Sequence, residues 1–236
     1  MARMVAFLSG NSAESLFQPT FTSNAASDNL ALGQRCRRSA ILARTRRLID
    51  RNCDIEHVTM RSIAAECCVA VQTLYNMFGS RARLLELAIT DHMAWMTRHS
   101  KLLAGYPNPV LAFSDLNCAY ITSSPNFMRN TALACAPVTG TFYQAIRKFN
   151  NECILILLES MQIRDLFRDN IDLASLASLL NFISQMTPLD WAGGHCSVRE
   201  LRYEVATRNV CALSNVVVSP HGDGMNEWLR ALRSTN

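Results

Sequence analysis

A cluster of side chains in the first third of the chain has the chemistry needed to read a nucleic acid. Gln72 and Asn76 are amides that can pair with adenine in a major groove, and Val71 can contact a thymine methyl group. Tyr75 can reach a phosphate or pack on a sugar. At helical spacing these four side chains share one face. The spacing therefore predicts a short helix over residues 71–78 with a nucleic-acid-binding face.

The surrounding residues predict the elements that must hold this helix. Leu74 and Phe78 form its opposite, apolar face. Thr59 is suited to cap a preceding helix that runs to about Glu66, and a break is expected at residues 68–70. Gly79 ends the short helix, and a fourth helix is expected over residues 81–91. Two short helices joined by a tight turn form a helix-turn-helix layout.

The charge of the chain is concentrated in the same segment. Residues 31–90 hold ten arginines and five acidic residues, a balance of +5, so the rest of the chain sums to −1 against the total of +4. A basic segment joined to a nearly neutral one favours an anion-binding module on a separate body. A solvated arginine-rich helix face is the simpler alternative. Arg37 and Arg38, expected just before the first helix, are open to both interpretations.

The rest of the chain favours an all-α body. The 236 residues are 49% hydrophobic, which is enough for a packed core. Apolar periodicity and the positions of Gly and Pro predict helices near 91–104, 109–123, 126–135, 141–160, 171–188 and 198–217. Ser197 and Glu200 form a capping-box pair at the start of the last of these.

Four segments are expected from composition and pattern. Residues 1–34 are rich in Ser, Asn and Ala and are expected to form a disordered leader. A helix-turn-helix domain is expected over 35–90, a helical regulatory and dimerisation domain over 91–220, and a loose tail over 221–236.

The segment from Thr59 to Leu85 resembles the DNA-binding domain of the TetR family of bacterial transcriptional regulators. The resemblance covers roughly residues 37–90. It rests on Thr59, Ile63-Ala64, Val69, Thr73-Leu74-Tyr75, Phe78 and Leu84-Leu85. Residues 190–205 are similar to the family's link between its last two long helices.

This resemblance implies a homodimer that binds double-stranded DNA at a near-palindromic operator. It also implies that the last two long helices form the dimer interface and that a small apolar ligand binds in the helical body. The ligand is expected to favour a dimer whose two DNA-binding domains no longer fit the operator half-sites. The protein is therefore expected to be a repressor that the ligand releases from DNA. Together with the residue chemistry, the resemblance assigns these DNA-contacting residues: Arg37, Arg38, Thr59, Ala70, Val71, Gln72, Thr73, Tyr75, Asn76 and Arg81.

Some positions depart from the family pattern. Cys68 stands where the turn usually has Gly, so this residue must adopt a less favourable backbone geometry. Ala70 replaces the usual Ser cap, Arg81 replaces Lys, and Asn76 replaces a basic residue. Three of these, at 68, 70 and 76, support an alternative in which the protein is a dimeric interaction protein with a weakened DNA head. A ligand-independent regulator of the same fold is a further alternative.

The ligand pocket is expected among the aromatic and methionine residues of the body, because such pockets are mostly apolar. The candidates are Trp95, Phe113, Tyr120, Phe127, Phe142, Tyr143, Phe182 and Met186.

No motif predicts an enzyme or a cofactor. The chain has no Gly-rich phosphate loop, no G-x-S-x-G and no H-E-x-x-H, so no catalytic residue or cofactor is assigned. Its nine cysteines lack zinc-site spacing and are interpreted as reduced, mostly buried thiols, with no metal. No apolar run approaches the ~20 residues of a membrane span, and no signal peptide is recognisable. A cytoplasmic protein without a membrane partner is therefore expected.

Overall fold

The computed structural model describes residues 32–136, 140–168 and 170–218, together with residues 225, 227 and 230. The side chains of residues 32, 93–99 and 141 lie outside this description. The described residues form nine α-helices and no strand longer than one isolated bridge: α1 (Leu32–Arg51), α2 (Met60–Cys67), α3 (Val71–Phe78), α4 (Arg81–Leu103), α5 (Pro109–Ser123), α6 (Pro125–Ala134), α7 (Thr141–Ile163), α8 (Leu173–Ala192) and α9 (Val198–Ser214). A 3-10 turn at Ile55–His57 links α1 to α2. The all-α prediction is confirmed.

The first helix is longer than the sequence pattern predicts. It begins at Leu32, before Arg37 and Arg38 and inside the expected leader. Arg37 and Arg38 therefore lie within α1 and not on a segment that precedes it, which corrects the prediction. The rest of the leader, residues 1–31, lies outside the described residues.

The helix-turn-helix has the predicted boundaries. Thr59 caps α2 through a reciprocal pair, in which its hydroxyl accepts from the Ser62 backbone N–H at 3.1 Å and its own N–H donates to the Ser62 hydroxyl at 2.9 Å. The third helix spans Val71–Phe78 as expected. Ser80 caps α4 by accepting from the Arg83 N–H at 3.1 Å.

The fourth helix is continuous where a boundary was expected near Asp91. It runs from Arg81 to Leu103, because this stretch contains neither Gly nor Pro to end it. α4 therefore belongs to two units, which we call the head (residues 32–90) and the body (residues 91–218). The division into domains remains a prediction.

The body helices match the predicted positions within a few residues at most ends. α4 packs against α7, α7 against α8, α8 against α9, and α9 against α5. α8 continues through Pro188 to Ala192, beyond the expected end at residue 188. α9 opens with the predicted Ser197–Glu200 capping box but ends at Ser214, three residues early, after which Val217 forms an isolated bridge with Phe167. No helix among the described residues is long and apolar enough to cross a membrane.

Head and body share one apolar core. It includes Ile63 and Leu74 in the head and Leu116 and Leu157 in the body, all of which are fully buried. Arg46, on α1, is also fully buried. Its Nη1 donates to the Ala88 carbonyl at 3.1 Å and to Asp91 Oδ2 at 2.9 Å, and so ties α1 to α4.

Candidate nucleic-acid interface

The third helix separates its side chains as the sequence predicted. Leu74 and Phe78 are buried against the other head helices, whereas Gln72, Tyr75 and Asn76 are exposed. Tyr75 is 46% exposed, which is unusual for an aromatic side chain of this size. The polar face of α3 is therefore accessible to a partner.

The two amides on this face contact each other. Gln72 Nε2 donates to Asn76 Oδ1 at 2.9 Å. This bond uses one N–H of Gln72 and one lone pair of the Asn76 oxygen, so each amide keeps at least one donor and one acceptor. The two side chains thus hold each other in place on the exposed face of α3.

The turn before α3 carries two of the departures from the family pattern. Cys68 has φ 55° and ψ 45°, the left-handed region that usually holds Gly. Its N–H donates to the carbonyls of Ala64 and Ala65 and closes α2. Ala70 is the N-cap of α3 and supplies no side-chain hydrogen bond. The first backbone N–H groups of α3 therefore lack a cap from this residue.

Arg81 has a structural contact that the sequence analysis did not predict. Its Nε donates to the Val58 carbonyl at 2.8 Å and its Nη2 to the Ile55 carbonyl at 2.6 Å. Its Nη1 also pairs with Glu56 at 3.2 Å. The guanidinium is thus engaged by the 3-10 turn, because that turn leaves two carbonyls beside the start of α4. The contact of Arg81 with DNA remains a prediction.

The other head arginines divide into engaged and exposed groups. Arg38 lies over the Phe78 ring at 5.1 Å, and Arg51 pairs with Glu66 at 3.1 Å. Arg37, Arg47 and Arg61 are exposed and make no ion pair or hydrogen bond with the described residues. Arg61 lies in the first turn of α2 beside Thr59. The sequence analysis missed it, although its position opposite the buried Ile63 was the available signal.

A hydrogen-bonded joint fixes the end of α1 to the start of α6. Asn130 Nδ2 donates to the carbonyls of Ile49 at 3.1 Å and Asn52 at 2.9 Å, and Asn126 Nδ2 donates to the Asp50 carbonyl at 2.9 Å. The Asp50 carboxylate accepts from the Phe127 backbone N–H at 3.1 Å. Burial raises the pKa of Asp50, and this hydrogen bond opposes the rise.

The body contains a partly open cavity of about 90 Å³. The residues that line it come from α4, α5, α6, α7 and α8, and they include Tyr120, Met128, Thr131, Gln185 and Trp191. A wider depression of about 740 Å³ lies between the head and the body, with Cys53, Arg129 and Phe142 among its lining residues.

Most of the residues predicted for the ligand pocket lie elsewhere. Among them only Tyr120 is one of the described lining residues of the smaller cavity. Phe113 and Phe127 are buried in the core, Phe182 is 58% exposed, and Phe142 faces the depression between head and body. The half-buried Tyr143 and Met186 do not line the cavity. The side chain of Trp95 lies outside the described residues.

The cysteines are all described, and none forms a disulfide. Four are buried, fewer than expected, and three are exposed: Cys53, Cys68 and Cys211. Burial raises the pKa of Cys67 to about 11, so its thiol is neutral at physiological pH. The described residues contain no group of three or more His, Cys, Asp or Glu that could hold a metal ion.

Solved structures show what kind of fold this arrangement is. The chain superposes on a TetR-family transcriptional regulator from Mesorhizobium loti with a TM-score of 0.57 and 15% identity, over 80% of this chain and all of the other. The chain has the TetR-family fold. Further similar structures are a gamma-butyrolactone receptor described as ArpA-like (TM-score 0.51, 18% identity) and the TetR-family protein CprB from S. coelicolor A3(2) (TM-score 0.50, 19% identity). Each covers 87% of this chain and all of its own.

The similarity of fold is not accompanied by similarity over the whole sequence. No family model matches the chain, and no curated protein sequence matches it. None of the three neighbours is described as an enzyme. The TetR-family fold predicted from the helix-turn-helix residues is confirmed, whereas the roles of individual residues remain predictions.

Proposed function

We propose that this protein is a sequence-specific DNA-binding transcriptional regulator that acts as a repressor. The observation that carries the proposal is the polar face of α3, which is exposed while its apolar face packs into the core. In the TetR-family fold this helix is the second of the helix-turn-helix, the position that enters a major groove. The exposed Arg37 and Arg61 add positive charge to the head.

Gln72 is the proposed base-reading amide. An adenine contact needs one acceptor and one donor on the same amide, and Gln72 keeps both after its bond to Asn76. Asn76 accepts this bond and orients the Gln72 side chain, and it keeps its own N–H donors for a contact with the groove. Val71 and Thr73 lie half-buried on either side of this amide and are proposed to contact the groove.

Phosphate contacts are proposed for the residues that flank α3. Tyr75 and Thr59 are exposed hydroxyl-bearing side chains, and Arg61 adds charge beside Thr59. The N-terminus of α3 at Ala70 has no side-chain cap, so a phosphate can satisfy its backbone N–H groups. Arg81 acts indirectly, by holding the 3-10 turn that leads into Thr59.

The proposed active form is a homodimer that pairs through α8 and α9. α8 exposes Leu179 and Phe182, which are 48% and 58% exposed, on one helix. Burying such side chains against a second copy is favourable, and two-fold symmetry places two α3 helices on a near-palindromic operator. Because each side chain is already about half buried within one chain, burying the rest contributes about 1 kcal/mol each.

A small ligand in the body is proposed to release the DNA. α6 lines the 90 Å³ cavity with Met128 and Thr131, and the same helix holds α1 through Asn130. A ligand that shifts α6 would therefore change the position of the head. The similarity to a protein described as a gamma-butyrolactone receptor supports ligand binding by this fold. The required differential affinity is about 1–3 kcal/mol.

The test is DNA binding by the purified full chain. Duplexes are selected from a random pool and compared with the region upstream of its own gene, at two salt concentrations and with random competitor DNA. The proposal expects saturable binding that survives the competitor, with Gln72→Ala reducing specific affinity by about 5- to 100-fold. Gln162→Ala, an exposed amide on α7, is the matched control.

The alternative with a weakened head makes the opposite prediction. The strained Cys68 and the uncapped Ala70 are its structural support. It expects no preference over random DNA, loss of binding at modest salt, and equal behaviour of Gln72→Ala and Gln162→Ala. A ligand-independent regulator would instead bind the selected DNA tightly in the presence of every compound that occupies the cavity.

A further inference from the structure

The smaller cavity is mostly apolar, and it holds a few polar groups that carry no fixed charge. Its described lining residues include amides, hydroxyls and rings, but no Asp, Glu, Lys or Arg. His92 lines it and packs edge-on against Tyr120, with ring centroids 5.3 Å apart. The Cys135 thiol is neutral, because burial raises its pKa to about 12. An anionic ligand would find no Lys or Arg among these side chains, and burying an uncompensated ion is costly.

Hydrogen bonds fix the orientation of the Gln185 amide, which lines the cavity. Asn181 Nδ2 donates to the Arg147 backbone carbonyl at 2.8 Å, which leaves Asn181 Oδ1 as an acceptor. Gln185 Nε2 donates to that oxygen at 2.9 Å. The relay thus determines which end of the Gln185 amide is oxygen, since the reverse orientation would set two acceptors against each other.

The oxygen of that amide lacks a hydrogen-bond donor. Gln185 is only 9% exposed, and its Oε1 has no partner among the described residues. A buried acceptor without a donor costs about 1–3 kcal/mol. Because Gln185 lines the cavity, a donor on a molecule in the cavity would remove this cost.

The size of the cavity limits its occupant. Its volume is about 90 Å³. An engineered protein cavity of about 150 Å³ accepts benzene, so this smaller, partly open cavity admits at most one small ring, and only if its wall adjusts. Met128 lines the wall, and its flexible side chain can adjust to a ring.

We propose that this cavity binds an uncharged, one-ring molecule that donates a hydrogen bond to Oε1 of Gln185, as a phenol or a comparable ring alcohol does. The inference names the ligand class of the body. That such a molecule also releases DNA rests on the proposed function, whereas its binding to the cavity does not.

The test compares molecules of equal size that differ in one group. 3-Fluorophenol and 3-fluorotoluene have the same shape, but only the phenol can donate a hydrogen bond. The full chain is titrated with each by ¹⁹F NMR, and 3-fluorobenzoate tests the effect of charge. We expect 3-fluorophenol to bind about tenfold more tightly than 3-fluorotoluene, and 3-fluorobenzoate to bind more weakly than either.

A variant tests whether the Gln185 amide causes the preference for the phenol. Gln185→Leu removes the acceptor and is expected to abolish or reverse the tenfold preference for the phenol. Gln162→Leu, on an exposed part of α7, is the control and keeps the preference. If Gln185→Leu does not fold, the comparison of the three probes on the unmodified protein still decides.

Several results would overturn the inference. These are equal affinities for phenol and toluene, tighter binding of the benzoate, absence of binding by all three probes, or an unchanged preference in folded Gln185→Leu. None of them depends on DNA. A protein that selects an operator but treats phenol and toluene alike refutes the ligand class alone, and one that prefers phenol but selects no DNA refutes the regulator alone.

Discussion

In the head, amide and arginine side chains lie mainly on the outside, whereas the body buries several of its amides. Gln72 and Asn76 on α3 are exposed, but Asn181, Gln185 and Asn209 in the body are almost fully buried. Asn209 Nδ2 donates to the Ser114 hydroxyl at 2.7 Å, which joins α9 to α5. Similar side chains thus serve opposite environments in one chain.

This difference follows from what each region is proposed to recognise. A DNA duplex is a large anionic partner that must be met on an exposed surface, so the head keeps its polar groups in water. A small molecule is enclosed, so the body must bury polar groups and satisfy nearly all of them internally. Substitutions at four sites test this contrast. Their expected effects on stability decrease from Arg46 through Asn130 and Cys68 to Asp50.

Arg46 is fully buried, whereas the other arginines of the head are exposed or partly exposed. Arg46→Ala removes the donor to Asp91 and to the Ala88 carbonyl, and it leaves a cavity between α1 and α4. We expect the free energy of unfolding to fall by about 3–5 kcal/mol, measured by urea denaturation. The neighbouring Arg47→Ala, at an exposed position, is expected to stay within about 0.5 kcal/mol of the parent. Equal effects at the two positions would contradict the buried role.

Asn130 lies in the body, and its side chain donates hydrogen bonds to two backbone carbonyls of the head. Asn130→Ala leaves the carbonyls of Ile49 and Asn52 without their side-chain donor. The expected loss of unfolding free energy is about 1–3 kcal/mol, measured in the same way. Arg129→Ala on the exposed side of α6 is the control. A loss no greater than that of the control would show that the joint does not hold the two regions together.

Cys68 has a left-handed backbone conformation, which favours Gly because Gly has no side chain. Cys68→Gly removes the left-handed strain at φ 55° and is expected to stabilise the protein by about 1 kcal/mol. The corresponding rise in Tm is about 2–4 °C, measured by calorimetry. Cys68→Ala keeps a Cβ and should give no such gain. A gain of the same size with Ala would assign the effect to the thiol and not to the backbone.

Asp50 is expected to show the smallest effect, which depends on pH. Burial raises its folded pKa, so the folded protein holds this proton more tightly than the unfolded chain does. Ionisation near neutral pH therefore costs stability, and the cost disappears as pH falls through the folded pKa. Asp50→Asn keeps an acceptor for the Phe127 N–H, so its Tm should exceed that of the parent at neutral pH.

The pH profile completes this test. The advantage of Asp50→Asn in Tm should shrink steadily as pH is lowered towards the unfolded-state value of about 3.9. Asp190→Asn, at an exposed position in α8, provides the comparison. An advantage that grows on acidification would mean that the carboxylate is stabilised by its hydrogen bond more than it is penalised by burial.

The sequence predicted the head better than the body for a physical reason. Helix starts and ends in the head follow local rules, such as the Thr59 cap and the stop at Gly79, which operate within one turn. The exposed face of α3 follows from the same periodicity. Side-chain partners do not follow from such local rules, because Arg81 donates hydrogen bonds to carbonyls more than 20 positions earlier in the chain.

The cavity was beyond sequence reasoning for a related reason. Aromatic type does not distinguish Phe113 in the core from Phe182 on the surface, since both suit an amphipathic helix. The more useful signal was polar: Asn181 and Gln185 lie four positions apart on the buried face of α8. Their role depends on the Arg147 carbonyl on α7, whose proximity only the fold establishes.

The joint between α1 and α6 also bears on how freely this chain can diverge. Asn126 and Asn130 bind the backbone carbonyls of residues 49, 50 and 52, which every amino acid possesses. Mutations at the end of α1 can therefore accumulate while the attachment persists, provided that the helix ends at the same place. The selective constraint then falls on two asparagines in the body, and residues elsewhere in the head can change without loss of this anchor.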